Sequence, residues 1–167
     1  VKPAVAGLAG LVLAGMLAGC SSTGSHGGAR DSSTLPNVTL AGLGSEPAVD
    51  LGTFKGPAVV NLWASWCGPC RTELPIYGDF ARAYAGKVKV LGVDFQETSA
   101  SGAIDLLRAS RADYPIVTDP DGRTRAIGLP KLILVDASGR IAFQEYVEIR
   151  SAAQLRKLVA DHLGISG

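Results

Sequence analysis

Two cysteines, spaced Cys67-Gly68-Pro69-Cys70, stand where an apolar run of strand length gives way to a helical pattern. The run is Val59-Val60-Asn61-Leu62-Trp63, and the helical pattern extends from Arg71 to Tyr84. Few features constrain a fold as tightly. The thiols fall at a strand-to-helix turn, where backbone amides lack partners and the helix dipole favours negative charge. A thiolate is negative, so this placement points to a disulfide redox centre. Cys67, at the helix start, is expected to be the nucleophile. Cys70, one turn in and more buried, is expected to resolve the mixed disulfide. Gly68 and Pro69 tighten the turn, and Pro69 suits a first helical turn because its missing donor would be unpaired there anyway. Trp66 is expected beside the reactive sulfur as a contact surface.

The rest of the chain reads as strands and helices around this turn. Val59, Val60, Leu62 and Trp63 are apolar on both alternating faces, which predicts a central strand over residues 58–64 covered on both sides. Leu74, Tyr77, Phe80 or Ala81, and Tyr84 recur at helical spacing. A strand over 87–95, a helix over 101–112 and a short extended piece at 114–117 follow. The buried strand 131–135 pairs through the turn Asp136-Ala137-Ser138-Gly139 with 141–147, and Ser151 caps a final helix ending near Leu163. Val38–Leu40 and Ala48–Leu51 suggest a small N-terminal hairpin. The expected architecture is α/β, a mixed sheet with helices on both faces and a β-hairpin extension, occupying residues 35–167. Glu73 is expected to be a surface residue that complements the helix dipole. His162 is expected to sit at the end of the last helix.

The N-terminus is of a different kind. Residues 1–19 carry one lysine and an apolar segment from Ala4 to Ala18, the pattern of a secretory signal. The end of that segment, Leu17-Ala18-Gly19-Cys20, resembles a bacterial lipobox, which implies lipid attachment at Cys20. Residues 20–34 are Ser/Gly-rich and are expected to form a tether, with His26 a spacer residue. A formal net charge of +1 and the lack of a basic stripe argue against nucleic acid as a partner.

Residues 59–75, from Val59 through Trp66-Cys67-Gly68-Pro69-Cys70 to Pro75, resemble the active-site segment of the thioredoxin superfamily. More narrowly they are similar to extracytoplasmic TlpA/ResA-like thiol–disulfide oxidoreductases. Gly128-Leu129-Pro130, followed by an apolar strand and Asp136, is similar to that family's second landmark. The resemblance implies a thioredoxin-like fold and a cis peptide between Leu129 and Pro130 that faces an extended substrate. It also implies that Asn61 stands where thioredoxin has a buried acid, so that another group must manage the proton on Cys70. Lys131, after the proline, either stabilises the Cys67 thiolate or is an edge charge.

The implied activity is membrane-tethered, extracytoplasmic disulfide exchange, with protein thiols and disulfides as clients and a membrane electron donor or acceptor as partner. Reduction of client disulfides, as in cytochrome c maturation, is the leading expectation. The chain is expected to act as a monomer, with no cofactor beyond the Cys67–Cys70 disulfide and no metal. The alternatives are an oxidase of secreted thiols, a thiol peroxidase, a Cys-x-x-Cys metal-binding module and a non-catalytic peptide-holding lipoprotein.

Overall fold

A computed structural model describes residues 34–167. The expected signal segment 1–19, the lipobox cysteine Cys20 and the tether with His26 lie outside the described residues.

Strand β3 (Ala58–Trp63) is buried at all six positions. It lies between β4 (Lys89–Phe95), to which it runs parallel, and β6 (Lys131–Val135), to which it runs antiparallel. The continuous apolar run is thus the centre of the sheet, where both faces must be covered. The sheet continues from β4 to the parallel β5 (Ile116–Asp119) and from β6 to the antiparallel β7 (Ile141–Glu145). The N-terminal hairpin, β1 (Thr39–Gly42) with β2 (Val49–Asp50), does not stand apart. β1 also pairs with β5, giving one seven-stranded sheet in the order β2-β1-β5-β4-β3-β6-β7.

Among the described residues three helices accompany the sheet: α1 (Gly68–Ala83), α2 (Ala100–Ala109) and α3 (Ala152–Leu163). Their apolar residues all join one core cluster. Leu74, Tyr77 and Phe80 of α1, Ala103 of α2, and Leu155 and Val159 of α3 meet Val59, Trp63, Leu132 and Leu134 of the sheet. The opposite face carries Val60, Leu62, Leu91, Val93 and Ile133, and Leu35 and Leu51 of the N-terminal segment close it. Helices on both faces were expected, and the second face differs in having strand and loop residues as its cover. The reason is topological. The β3-α1-β4 and β4-α2-β5 crossovers step the same way along the sheet, and right-handed connections then place both helices on one side.

Close approach sets one residue in α1. A Cβ on Gly78 would lie 2.5 Å from the Arg111 carbonyl oxygen, so glycine lets the segment after α2 rest on this helix. His162 lies in the last turn of α3 and stacks on Phe143 with ring centroids 4.3 Å apart. Among the described residues no helix is long and apolar enough to cross a membrane.

Candidate active site

The site forms at the end of the sheet where β3 stops. Cys67 is the N-cap of α1, with extended backbone (φ −83°, ψ 107°), and its Sγ accepts a hydrogen bond from the Cys70 amide at 3.3 Å. Cys67 and Cys70 are joined in a disulfide, their Cα atoms 5.3 Å apart. The two sulfurs are not equivalent. Cys67 keeps 5% of its surface exposed and Cys70 none. On reduction, the same Cys70 N–H and the helix terminus stabilise a thiolate on Cys67. No acidic side chain occupies the first turn of α1 to oppose that charge.

Loops from two further strands complete the rim. The exposed Trp66 ring donates its indole N–H to the Gln96 carbonyl at 3.1 Å. Glu97 accepts from the Ser65 amide (2.7 Å) and hydroxyl (2.9 Å), tying the active-site loop to the segment after β4. Partial burial opposes ionisation of Glu97, but the amides of Ser65, Ser99 and Thr98 and the Ser65 hydroxyl together hold its carboxyl below the usual range.

On the other side, the peptide between Leu129 and Pro130 is cis, and both residues are half-buried. Leu62 pairs with Lys131, so Pro130 stands level with the end of β3, beside the loop that carries the cysteines. A second cis peptide, Gly56–Pro57, lies at the far end of β3. The Lys131 ammonium does not lie free at the edge; it sits 5.1 Å from the Tyr146 ring centroid.

The buried face of α1 carries a polar group expected from the sequence to lie at the surface. Glu73 is only 1% exposed, and its Oε1 accepts a hydrogen bond from the Ile149 amide. Burial pushes its carboxyl up from 4.5 to about 7, against the Ile149 N–H, and the nearby charge of Glu148 adds to the rise. The expectation of a dipole-complementing surface acid is therefore corrected. Glu73 is too far along α1 for the first turn, and the chain before α3 folds over it. A signal was present: positions 73, 77, 80 and 84 form one helical stripe, and three of them are aromatic.

Tyr77 and Tyr114 extend this cluster. Burial raises both phenols well above their usual range, and the Glu73 charge reinforces the effect. Asn61 is buried, and its Oδ1 has no hydrogen-bond partner, nor has the Tyr114 hydroxyl. Asn61 lies near enough to Tyr114 to favour its ionised form without completing a well-aligned bond.

Asp94, opposite Trp63 across the β3–β4 ladder, is a second buried acid, with no signal in the apolar pattern of its strand. Both its oxygens lack partners, and burial, then the charge of Glu97, raises it from 3.8 to about 7. Two buried carboxyls are thus raised to about 7: Glu73, on the helix that begins at the disulfide, and Asp94, beside the last residue of β3. Among the described residues no group of three or more His, Cys, Asp and Glu side chains is disposed to hold a metal ion.

A thioredoxin-like sheet with a Cys-x-x-Cys disulfide at a helix N-terminus and a cis-proline loop beside it defines a thiol–disulfide oxidoreductase. The chain belongs to the Redoxin family, whose model matches residues 30–159, and within it to the TlpA/ResA-like proteins of the thioredoxin superfamily. It is 32% identical to the thioredoxin-like protein YneN of Bacillus subtilis over 122 residues, covering 68% of this chain and 70% of that protein. It is 28% identical to the thiol-disulfide oxidoreductase ResA of Bacillus cereus over 112 residues, 64% of each chain. The crystal structure of a putative thiol:disulfide interchange protein DsbE from Chlorobium tepidum matches with a TM-score of 0.64 and 27% identity. That match covers 77% of this chain and 95% of the other.

Proposed function

We propose that this chain is a lipid-anchored, extracytoplasmic reductase of protein disulfides, acting as a monomer through Cys67 and Cys70. The observation that carries the reading is the asymmetry of the two sulfur-bearing residues: Cys67 at the α1 N-cap keeps 5% of its surface exposed, and Cys70, one turn from a carboxyl of pKa about 7, keeps none.

In the reduced protein the Cys67 thiolate attacks one sulfur of a client disulfide. That S–S bond breaks, and the client's other sulfur leaves as a thiolate and takes a proton from water. Cys70 then gives its proton to the Glu73 carboxylate, its neighbour one turn along the same helix face. Its thiolate attacks Cys67 Sγ, closing the internal disulfide and expelling the client's first sulfur. Two electrons have passed to the client. A membrane-associated dithiol partner supplies two electrons to restore the reduced form. Trp66, Gly68, Pro69 and Asn61 shape the surroundings of the cysteines, and Leu129 and Pro130 receive the client backbone. An apocytochrome c fits the client class, and the lipobox-like Cys20 would hold the enzyme at the membrane where such clients emerge.

Reduction is favoured over oxidation by the position of Lys131. Its ammonium is held over Tyr146, so the stabilisation assigned to the Cys67 thiolate is that of the helix terminus and not of Lys131. Less stabilisation of the thiolate means a more reducing disulfide. A glutathione redox titration tests this. A midpoint within about 40 mV of thioredoxin's −270 mV is expected, and one near the −120 mV of a strong oxidant would assign the oxidase role instead. For the anchor, replacing Cys20 with Ser should release the protein from the membrane fraction; retention there would contradict lipid attachment at that residue.

A further inference from the structure

Glu97 ties three parts of the chain together. Its Oε2 accepts from the Ser65 amide (2.7 Å), and its Oε1 accepts from the Ser65 hydroxyl (2.9 Å) and the amides of Thr98 (2.7 Å) and Ser99 (2.9 Å). Ser65 lies inside the turn in which the Cys67 amide donates to the Ala64 carbonyl at 3.1 Å. Ser99 is the N-cap of α2, and a Cβ on Gly102, in the first turn of that helix, would lie 3.8 Å from Ser65 Oγ. One carboxylate therefore holds both the turn that presents Cys67 and the start of the helix packed against it.

Asp94 stands behind this carboxylate. Partners in a parallel ladder share a face, so Asp94 points to the helix side of the sheet with Trp63. Gly92 lies on the same face, and a Cβ there would be 3.1 Å from Trp63 Nε1. Asp94 is 1% exposed, and neither of its oxygens has a partner. The charge that acts on it is that of Glu97, and the two carboxyls approach without completing a well-aligned bond. Like charges so placed do not ionise independently. Glu97, with its donors from Ser65, Thr98 and Ser99, keeps the charge, and buried Asp94 keeps the proton. No counter-charge relieves Asp94. The strands on either side set Trp63 and Thr118 against it, neither of them charged. On α1, Glu73 acts on Tyr77 and Tyr114 instead. Arg71 of α1 and Asp105 of α2 line an open groove beyond Ser65, with Asp105 paired to Arg108.

We propose that Asp94 is a positioning residue for disulfide exchange: protonated, it leaves Glu97 to hold the turn from Ala64 to Cys67, and ionised, it repels Glu97 and loosens that turn. This rests on the disulfide-exchange reading of Cys67 and Cys70 and adds to it an acid that acts through the loop, not on a sulfur. The proton that Asp94 loses as the pH rises goes to solvent, and no bond to a client forms or breaks in the step. Reduction of a client should therefore quicken with pH while the Cys67 thiolate forms, then slow again above neutrality as the turn loosens.

Hydrogen exchange of the Ser65 amide, followed by NMR on the oxidised full chain, reads the turn directly. Its protection, corrected for the intrinsic effect of pH, should fall about fivefold between pH 6 and 8.5, a modest coupling between two sites. Asp94→Asn keeps a neutral side chain of the same shape and should hold its protection across that range. Glu73→Gln, which lacks the other acid raised to about 7, should show the wild-type fall. The functional readout is the rate at which the reduced protein is oxidised by a peptide with one internal disulfide. That rate should decline above pH 7.5 in the wild type and stay level in Asp94→Asn. A wild-type fall in protection below about twofold overturns the proposal. So does a fall or a rate decline that Asp94→Asn shares, or one that Glu73→Gln abolishes. Failure of the wild-type disulfide to equilibrate with glutathione would instead remove the underlying reading and leave the Ser65 result standing, so the two failures are distinguishable.

Discussion

Replacing Glu73 with Gln should change how the stability of the oxidised protein depends on pH. The substitution keeps the shape of the side chain and keeps an oxygen to accept from the Ile149 amide, but removes the ionisable group. In the folded chain burial holds the Glu73 carboxyl at about 7, against 4.5 when exposed. Between these values the folded state retains a proton that the unfolded chain has shed, so raising the pH favours unfolding. The stabilisation is fully present below pH 4.5 and is lost progressively until the folded group ionises near 7. At about 1.4 kcal/mol for each pH unit of the gap, the loss is about 3 kcal/mol. Urea denaturation of wild type and Glu73→Gln at pH 4.5, 6 and 8 measures it. The variant should gain about 2–3 kcal/mol on the wild type between the first and last of these. Parallel stability curves for the two proteins would refute the buried, proton-holding Glu73. The same variant should also slow closure of the internal disulfide, with the largest effect near neutral pH, where the wild-type carboxylate is available as a base.

Asp94→Asn should remove a second pH-dependent contribution of the same sign, because Asp94 is likewise raised, from 3.8 to about 7. Its stability curve should be flatter than the wild type's between pH 4 and 7 and parallel to it above 8, as read by the same denaturation series. In Gly78→Ala two effects compete. Removing glycine from a helix interior is worth about 1 kcal/mol of stabilisation. The new Cβ would meet the Arg111 carbonyl oxygen at 2.5 Å, a backbone atom that cannot swing aside, and overpacking costs about 1–3 kcal/mol. A net loss of about 1 kcal/mol and a lower melting temperature are expected; a higher one would show that the Arg111 segment yields freely.

Much of the fold was legible because it is written in local periodicity. The unbroken apolar run at 59–63 marks a strand covered on both faces, and the structure makes it the centre of the sheet. Leu74, Tyr77, Phe80 and Tyr84 mark the packed face of α1, and Ser151 caps α3 through the Gln154 amide. What was not legible depends on distant chain. Glu73 is buried because residues near Ile149, far along the sequence, fold over it, and an acidic residue read alone is assigned to water. Asp94 sits at the end of an otherwise apolar strand, and only its place opposite Trp63 shows that it is enclosed. The cover of the second face by Leu35 and Leu51 likewise follows from the direction of two crossovers, which the order of elements alone does not reveal.

The proposed division of labour has Cys67 meet the client and Cys70 close the reaction. Trapping tests that division most directly. Cys70→Ser and Cys67→Ser variants are incubated with a disulfide-containing peptide, and covalent adducts are located by mass spectrometry of proteolytic fragments. Cys70→Ser should accumulate a mixed disulfide on Cys67, while Cys67→Ser forms little adduct because Cys70 is enclosed. Equal adducts in the two variants, or an adduct on Cys70 alone, would contradict the assignment.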